Sequence, residues 1–165
     1  MSDLIKTAFY QNHLALGAKM VPYAGFEMPV SYSGLKEEHN AVRNHVGMFD
    51  VSHMGEFIVK GPNALCFLQY VTSNDVAALF DGKIQYSCMP NGKGGIVDDL
   101  LVYRKSEQEY LLVVNAGNIE KDWNWVNQIA SEKGYDVELT NDSDSWSLIA
   151  LQGPNAISKI VPLID

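Results

Sequence analysis

The four residues Gly-Pro-Asn-Ala occur twice in this chain, at 61–64 and again at 153–156, and each copy lies between a strand pattern and a helix pattern. Proline suits the first turn of a helix, because the N–H that it lacks would have no partner there. Gly-Pro is common at strand–helix junctions, which is one explanation of the recurrence. The other explanation, a duplicated β-turn-α unit, constrains the fold more than any other feature of the sequence.

From the strand that leads into the first copy onward, residue patterns predict the order strand, helix, three strands, helix, strand. The strands are predicted at 54–60, 83–89, 96–104, 110–115 and 135–139, and the helices at 62–71 and 119–133. Asn118 can cap the second helix and Gly134 can end it. This split β-α-β order has ferredoxin-like character, so the predicted fold class is α+β with mixed, largely antiparallel sheets.

The flanking segments carry weaker patterns. Helical spacing predicts a helix over 4–16 that ends before Gly17, and a second helix over 35–46 with Ser33 as its N-cap. A strand is predicted at 146–152, and a last helix begins at Pro154.

Composition excludes several classes of protein. The net charge is −8, whereas nucleic-acid binding needs a basic surface and anionic membranes repel an acidic one. Cys66 and Cys88 form no metal-binding or disulfide pattern, and we expect reduced thiols. The sequence shows no signal peptide and no apolar run of about 18 residues, so we expect a cytoplasmic protein without nucleic-acid or membrane partners.

An acidic pair interrupts the predicted strand 96–104. Side chains alternate along a strand, so Asp98 shares a face with Leu100 and Val102, and Asp99 shares the other face with Leu101 and Tyr103. Strands are poor in Asp, and a buried carboxylate without a partner is costly. The pair therefore either marks an edge strand or holds a cationic or N–H-rich ligand.

Other polar residues leave alternatives open. Ser52 and His53 would point apart on a strand, which is poor geometry for a nucleophile and its base, and the histidines show no metal-ligand spacing. Asn115 and Asn118 can cap a helix or present amides to a heterocycle. Three larger side chains could pack in the core or line a pocket: Met54, Tyr86 and Tyr103.

Several segments together resemble one known family, the glycine cleavage system T proteins, which are aminomethyltransferases. The resemblance covers essentially the whole chain and is carried by long segments and by single residues: 17–30 (GAKMVPYAGFEMPV), 46–56 (VGMFDVSHMGE), 94–100 (GGIVDDL), 113–116 (VVNA), Glu38, Val42, Arg43, Tyr86, Tyr103 and Asn118.

The resemblance implies a folate-dependent reaction. Proteins of this family transfer a methylene group from the aminomethyl-lipoyl arm of the H protein to tetrahydrofolate and release ammonia, without a metal. It implies that Asp99 is the catalytic residue and that the folate site is lined by Met54, Tyr86, Tyr103, Val114 and Asn115. It also implies two domains: residues 51–140, and a first, incomplete folate-binding domain of residues 1–50 with 141–165.

Members of the family are about twice as long, and their remaining pterin- and glutamate-binding groups would follow residue 165. We therefore expect a fragment with a truncated fold, which binds tetrahydrofolate weakly or not at all and does not turn over. Alternatives are a related folate-binding protein, such as the folate domain of a demethylating oxidase or a tRNA-modification and iron–sulfur maintenance protein, and a non-catalytic binding module.

Overall fold

The computed structural model describes residues 4–164, which form two compact units. One unit takes in the chain up to His53 and from Ser147 onward, and the other comprises Met54–Trp146. The helices are α1 Tyr10–Ala15, α2 Leu35–Asn44, α3 Ala64–Val71, α4 Ile119–Lys133 and α5 Ala156–Ile160. The strands are β1 Lys19–Tyr23, β2 Phe26–Ser31, β3 Gly47–Asp50, β4 Gly55–Lys60, β5 Ile84–Pro90, β6 Ile96–Ser106, β7 Glu109–Val114, β8 Glu138–Asn141 and β9 Ile149–Gln152.

The unit Met54–Trp146 is built on a five-stranded sheet in the order β5-β6-β7-β4-β8. Every pairing in this sheet is antiparallel. Its elements follow one another as strand, helix, three strands, helix and strand, which confirms the predicted α+β fold class. Helix α4 spans the predicted residues and ends at Gly134, whose left-handed conformation (φ 67°) suits glycine.

The hydrophobic core of this unit lies between one face of the sheet and helices α3 and α4. Phe67 and Leu68 of α3 and Val126 of α4 are fully buried there. The sheet contributes alternate side chains to the same core, namely Phe57, Val59, Leu100, Val102, Leu112 and Val114. Strand β4 lies between β7 and β8, and its residues from Gly55 to Val59 are buried on both faces.

The two copies of Gly-Pro-Asn-Ala form the same turn. Gly61 and Gly153 have φ values of 127° and 118°, and in each copy the alanine N–H donates to the glycine carbonyl at 3.1 Å. Asn63 and Asn155 have nearly equal backbone angles, φ −99° and ψ 8° against φ −98° and ψ 6°. This agreement supports a duplicated β-turn-α unit over a chance recurrence.

The other unit contains the β1–β2 hairpin, the antiparallel pair β3–β9 and three helices. The predicted helix over 4–16 is wrong in its first half, because Ile5 forms a bridge with Phe26 and its N–H donates to the carbonyl of Gly25. Only Tyr10–Ala15 is helical. Backbone pairing with the hairpin satisfies the Ile5 peptide groups, an outcome that local spacing cannot reveal.

Three further boundaries differ from the predictions. Ser33 is not an N-cap; instead the carboxylate of Glu38 accepts hydrogen bonds from the N–H groups of Tyr32 and Gly34, at 2.7 and 2.8 Å. Strand β8 is shifted toward the C-terminus relative to the predicted 135–139, and strand β9 lacks the first three residues of the predicted 146–152. Within residues 4–164, no helix has both the length and the apolar character that a membrane crossing requires.

Candidate functional site

The acidic pair lies on β6, and the sheet divides it as predicted. Asp98 is only 9% exposed and lies on the core face with Leu100 and Val102. Asp99 is half-buried on the opposite face, where Leu101 and Tyr103 are also half-buried. The two carboxylates therefore have different surroundings and different partners.

Tyr86 and Asp99 make direct contact on that opposite face. The phenol Oη of Tyr86 donates to Oδ2 of Asp99 at 2.9 Å, and this hydrogen bond is the main cause of the raised pKa of Tyr86. Because the acceptor is anionic, the bond is stronger than one between neutral groups. Tyr86 is 64% exposed, so this end of the site is open to solvent.

Asn115 links the two acids. Its amide nitrogen lies 3.1 Å from Oδ1 of Asp98 and 3.2 Å from Oδ1 of Asp99, and it also lies 3.2 Å from the backbone oxygen of Asp99. Asn115 follows the last residue of β7, where that strand ends beside β6. The side chain makes no helix-capping bond. Its amide nitrogen instead donates to the two carboxylates of the acidic pair.

Asp98 is held on the core side by further donors. The amide nitrogen of Asn118 lies 3.0 Å from Oδ2 of Asp98, and Asn118 makes no cap bond to α4, so its predicted capping role is wrong. Burial alone would raise the pKa of Asp98. Hydrogen bonds with Asp122, Asn118 and Asn115 outweigh burial, and the pKa is lowered overall.

Glu56 lies on the Asp99 face, and sequence reasoning gave it no role. The register pairs Glu56 with Val113 on β7, and Val113 with Leu101 on β6. Glu56 is 1% exposed, and burial followed by the charge of Asp142 raises its pKa to about 7. Burial and the Glu56 charge in turn raise the pKa of Tyr103. The sequence feature that could have identified Glu56 is a single Glu among the apolar residues of a predicted strand.

The two remaining folate-site candidates lie at the end of the β4–β7 ladder. Gly55 pairs with Val114 in the last rung, and Met54, half-buried in the bend before β4, flanks it. The side chain of Val114 is fully buried in the core, on the sheet face opposite Asp99. The structure thus brings Asp99, Tyr86 and Asn115 together, keeps Tyr103 on their face and directs the Val114 side chain away.

Ser52 and His53 lie in a turn rather than on a strand. The hydroxyl of Ser52 contacts the backbone of Leu148, and the ring of His53 packs edge-on against Tyr23 and Phe26. These contacts give each residue a packing role. Among residues 4–164, no group of three or more His, Cys, Asp or Glu side chains is placed to hold a metal ion.

The unit that contains β3 has its own buried polar cluster around Asp50. Oδ2 of Asp50 lies 2.6 Å from the Thr7 hydroxyl and 2.8 Å from Nε2 of His13, and Nδ1 of His13 lies 2.8 Å from the hydroxyl of Tyr32. Burial opposes ionisation of Asp50, but these hydrogen bonds lower its pKa overall. The cluster borders a cavity of about 520 Å³ that is otherwise lined largely by apolar groups, and it joins four chain segments.

The unit Met54–Trp146 thus belongs to the class of antiparallel α+β domains, and its sheet carries an acidic pair bridged by an asparagine. Within that class, the family model described as the GCVT N-terminal domain matches residues 9–165. The chain therefore belongs to the GCVT family and carries its N-terminal domain.

Known relatives agree with this assignment. The chain is 59% identical over 157 residues to an aminomethyltransferase of Flavobacterium psychrophilum and 60% identical over 159 residues to one of Bacteroides fragilis, covering 95% and 96% of this chain. It spans 43% of the length of each of these relatives.

A solved structure shows the same fold. The crystal structure of glycine cleavage system aminomethyltransferase T from Bartonella henselae matches with a TM-score of 0.86 and 36% sequence identity, covering 97% of this chain and 44% of that one. Together these matches establish the family and the fold.

Proposed function

We propose that the chain carries the acidic part of the active site of a folate-dependent aminomethyltransferase of glycine cleavage. The donor is the aminomethyl group on the lipoyl arm of the H protein, and the acceptor is tetrahydrofolate. The products are 5,10-methylenetetrahydrofolate, ammonia and the reduced lipoyl arm. The cytoplasm is the proposed compartment, and no nucleic acid or membrane takes part.

The observation that carries this proposal is the surrounding of Asp99. A half-buried carboxylate receives hydrogen bonds from Tyr86 and Asn115 and shares its sheet face with Tyr103. A carboxylate can accept hydrogen bonds from several ring nitrogens, and aromatic side chains offer surfaces on which a flat heterocycle can stack. These residue types fit a pterin, which is flat and rich in N–H groups.

The chemistry assigns Asp99 an electrostatic role. Two C–N bonds to the folate nitrogens form, while the C–S bond to the lipoyl sulfur and the C–N bond to ammonia break. The two protons lost by the folate nitrogens balance those gained by the thiol and the amine. Asp99 orients the ring nitrogens and stabilises the positive charge that develops on them, and Asn115 and Tyr86 fix the direction of its carboxylate.

An Asp99→Asn substitution in the full-length gene product tests this proposal. Asparagine keeps the shape of the side chain but removes its negative charge. We expect turnover with aminomethyl-lipoyl H protein to fall by at least about 100-fold, with tetrahydrofolate still bound in a calorimetric titration. Asp144→Asn, at an exposed position of the same unit, is the matched control and should leave turnover unchanged.

The same experiment separates the competing functions. Unchanged turnover in Asp99→Asn would remove the residue from its proposed role. Folate or H-protein binding without any turnover in the unmodified protein would favour a non-catalytic binding module. Oxidative demethylation of an N-methyl substrate, or tRNA modification, in place of aminomethyl transfer would favour one of the related folate-binding proteins.

A further inference from the structure

Asp122, on the first turn of α4, is a charged residue type at a fully buried position. Its side chain is 0% exposed, and it lies within hydrogen-bonding reach of the Asp98 carboxyl group across the interface between helix and sheet. Two ionised carboxylates cannot hydrogen-bond to each other, because each can only accept. Counted as a carboxylate, Asp122 has no hydrogen-bond partner for either oxygen within residues 4–164.

A proton on one of the two carboxyl groups resolves this conflict. The charged groups near Asp122 are Asp98 and Asp99 on β6 and Lys121 on its own helix. The Lys121 ammonium lies 3.9 Å from Oδ1 of Asp122, but it donates to the backbone oxygen of Val97 at 2.6 Å. Burial, followed by the hydrogen bond with Asp98, raises the pKa of Asp122 to about 7. Both oxygens of Asp98 already accept hydrogen bonds from the amides of Asn115 and Asn118, as an ionised carboxylate does, so the proton resides on Asp122.

The hydrogen bonds of Asp98 also connect Asp122 with Asp99. Oδ2 of Asp98 accepts from Asn118, and Oδ1 of Asp98 accepts from the same Asn115 nitrogen that lies 3.2 Å from Oδ1 of Asp99. Rotation of the Asp98 carboxylate would therefore break its bond with Asn115 and free that amide to turn. A fixed Asp98 keeps the amide directed toward Asp99.

We propose that Asp122 is a positioning residue that carries a proton in the folded protein and donates it in a hydrogen bond to Asp98, so that Asp98 and Asn115 hold Asp99 in one orientation. This inference rests on the proposed function only for the role of Asp99. The protonated state of Asp122 and the connected hydrogen bonds are properties of the folded chain, with or without a substrate.

The protonation state can be measured without any activity. In a ¹³C NMR titration of the full-length gene product labelled at the aspartate carboxyl groups, assigned with Asp122→Asn, we expect the Asp122 signal to titrate near neutral pH and Asp98 to stay ionised to well below its ordinary range. A titration of Asp122 near its ordinary pKa of 3.8 would overturn the inference, even if the protein proves to be an aminomethyltransferase.

Two substitutions then separate positioning from mere stability. Asp122→Asn supplies an N–H donor in place of the acid O–H, so turnover should stay within about threefold of the unmodified protein. Asp122→Ala removes the donor to an ionised partner, and kcat should fall by about tenfold or more while KM changes little. Glu120→Ala, exposed on the same helix turn, is the control.

The pattern of losses decides the outcome. A loss in Asp122→Asn as large as that in Asp122→Ala would show that the negative charge of Asp122 is needed, which contradicts the inference. Equal turnover in all three variants would show that Asp122 does not position Asp99. If Asp122→Ala does not fold, the NMR titration and the Asp122→Asn turnover still decide the question. If no variant and no unmodified protein turns over, the proposed function fails and the titration alone tests the inference.

Discussion

The amide nitrogen of Asn115 lies 3.2 Å from Oδ1 of Asp99, and the same nitrogen lies 3.1 Å from Oδ1 of Asp98. One donor group thus connects a buried carboxylate on the core face of the sheet with a half-buried carboxylate on the other face. Both distances fall within the range of N–H···O hydrogen bonds. The position of Asn115 just after β7 makes this possible, because the end of that strand lies beside the acidic pair.

Replacing Asn115 by Asp should damage this arrangement without changing the size of the side chain. The variant exchanges a shared donor for a third carboxylate beside two others, and like charges at this distance repel. We expect the free energy of unfolding at pH 8 to fall by about 2 kcal/mol or more, with part of the loss recovered at pH 5. Urea unfolding at both pH values measures this change. Asn40→Asp, exposed on α2, is the control, and an equal loss there would contradict the prediction.

Tyr86→Phe should reduce activity while leaving stability nearly unchanged. The substitution removes the hydroxyl that donates to Asp99, and the ring is 64% exposed, so little packing is lost. The acceptor is a charged carboxylate, which makes this bond stronger than one between neutral groups, so kcat/KM of the full-length gene product should fall by about tenfold. Steady-state kinetics and thermal unfolding measure the two effects. Tyr23→Phe, at an equally exposed tyrosine, should change neither, and full activity in Tyr86→Phe would remove the hydroxyl from the site.

The two repeated turns should be sensitive to alanine at their glycines. A Cβ at Gly61 would lie 2.8 Å from the backbone oxygen of Asp136, and one at Gly153 would lie 2.6 Å from that of His45. Both residues also have positive φ, which disfavours alanine. We expect each substitution to lower the free energy of unfolding by about 2 kcal/mol or more.

Gly82→Ala is the matched control for this pair. Gly82 also has a positive φ of 84°, but a Cβ there meets no atom within 4 Å. Alanine at this position therefore carries only the backbone strain, about 1 kcal/mol. Chemical unfolding of the three variants side by side separates the strain from the close approach. Equal losses at all three positions would show that the neighbouring carbonyl groups contribute nothing.

Local sequence patterns predicted much of this fold and the faces on which Asp98 and Asp99 lie, but not the partners of Asp98. The period of two placed Asp98 and Asp99 on opposite faces, and helical spacing together with Gly134 gave α4 its bounds, because both patterns depend on residues close in sequence. The partners of Asp98 were not predicted, since Asn118 lies 20 residues away along the chain and reaches it only after α4 packs on the sheet. A single sequence also gives no register between strands, so the burial of Val114 in the core could not be predicted.

Glu56 ties the stability of the chain to pH, and the direction follows from its raised pKa. In the unfolded chain Glu56 loses its proton near its ordinary pKa of 4.5, whereas in the folded protein it keeps the proton until about pH 7. Between these values the folded state binds the extra proton, so the free energy of unfolding decreases as the pH rises. The stabilisation is complete below pH 4.5 and is lost once the pH exceeds about 7.

The Glu56→Gln substitution should therefore stabilise the folded chain increasingly as the pH rises from 5 to 8. Glutamine cannot ionise, so it avoids the cost of a buried carboxylate with no partner among residues 4–164. Relative to the unmodified chain, its free energy of unfolding should increase by about 2 kcal/mol over this pH range. Urea unfolding at pH 5, 6, 7 and 8 measures the difference, in which the contribution of Asp122 cancels. Glu107→Gln, at an exposed position of the same unit, should show no such trend, and a pH-independent difference for Glu56→Gln would show that Glu56 ionises normally in the folded protein.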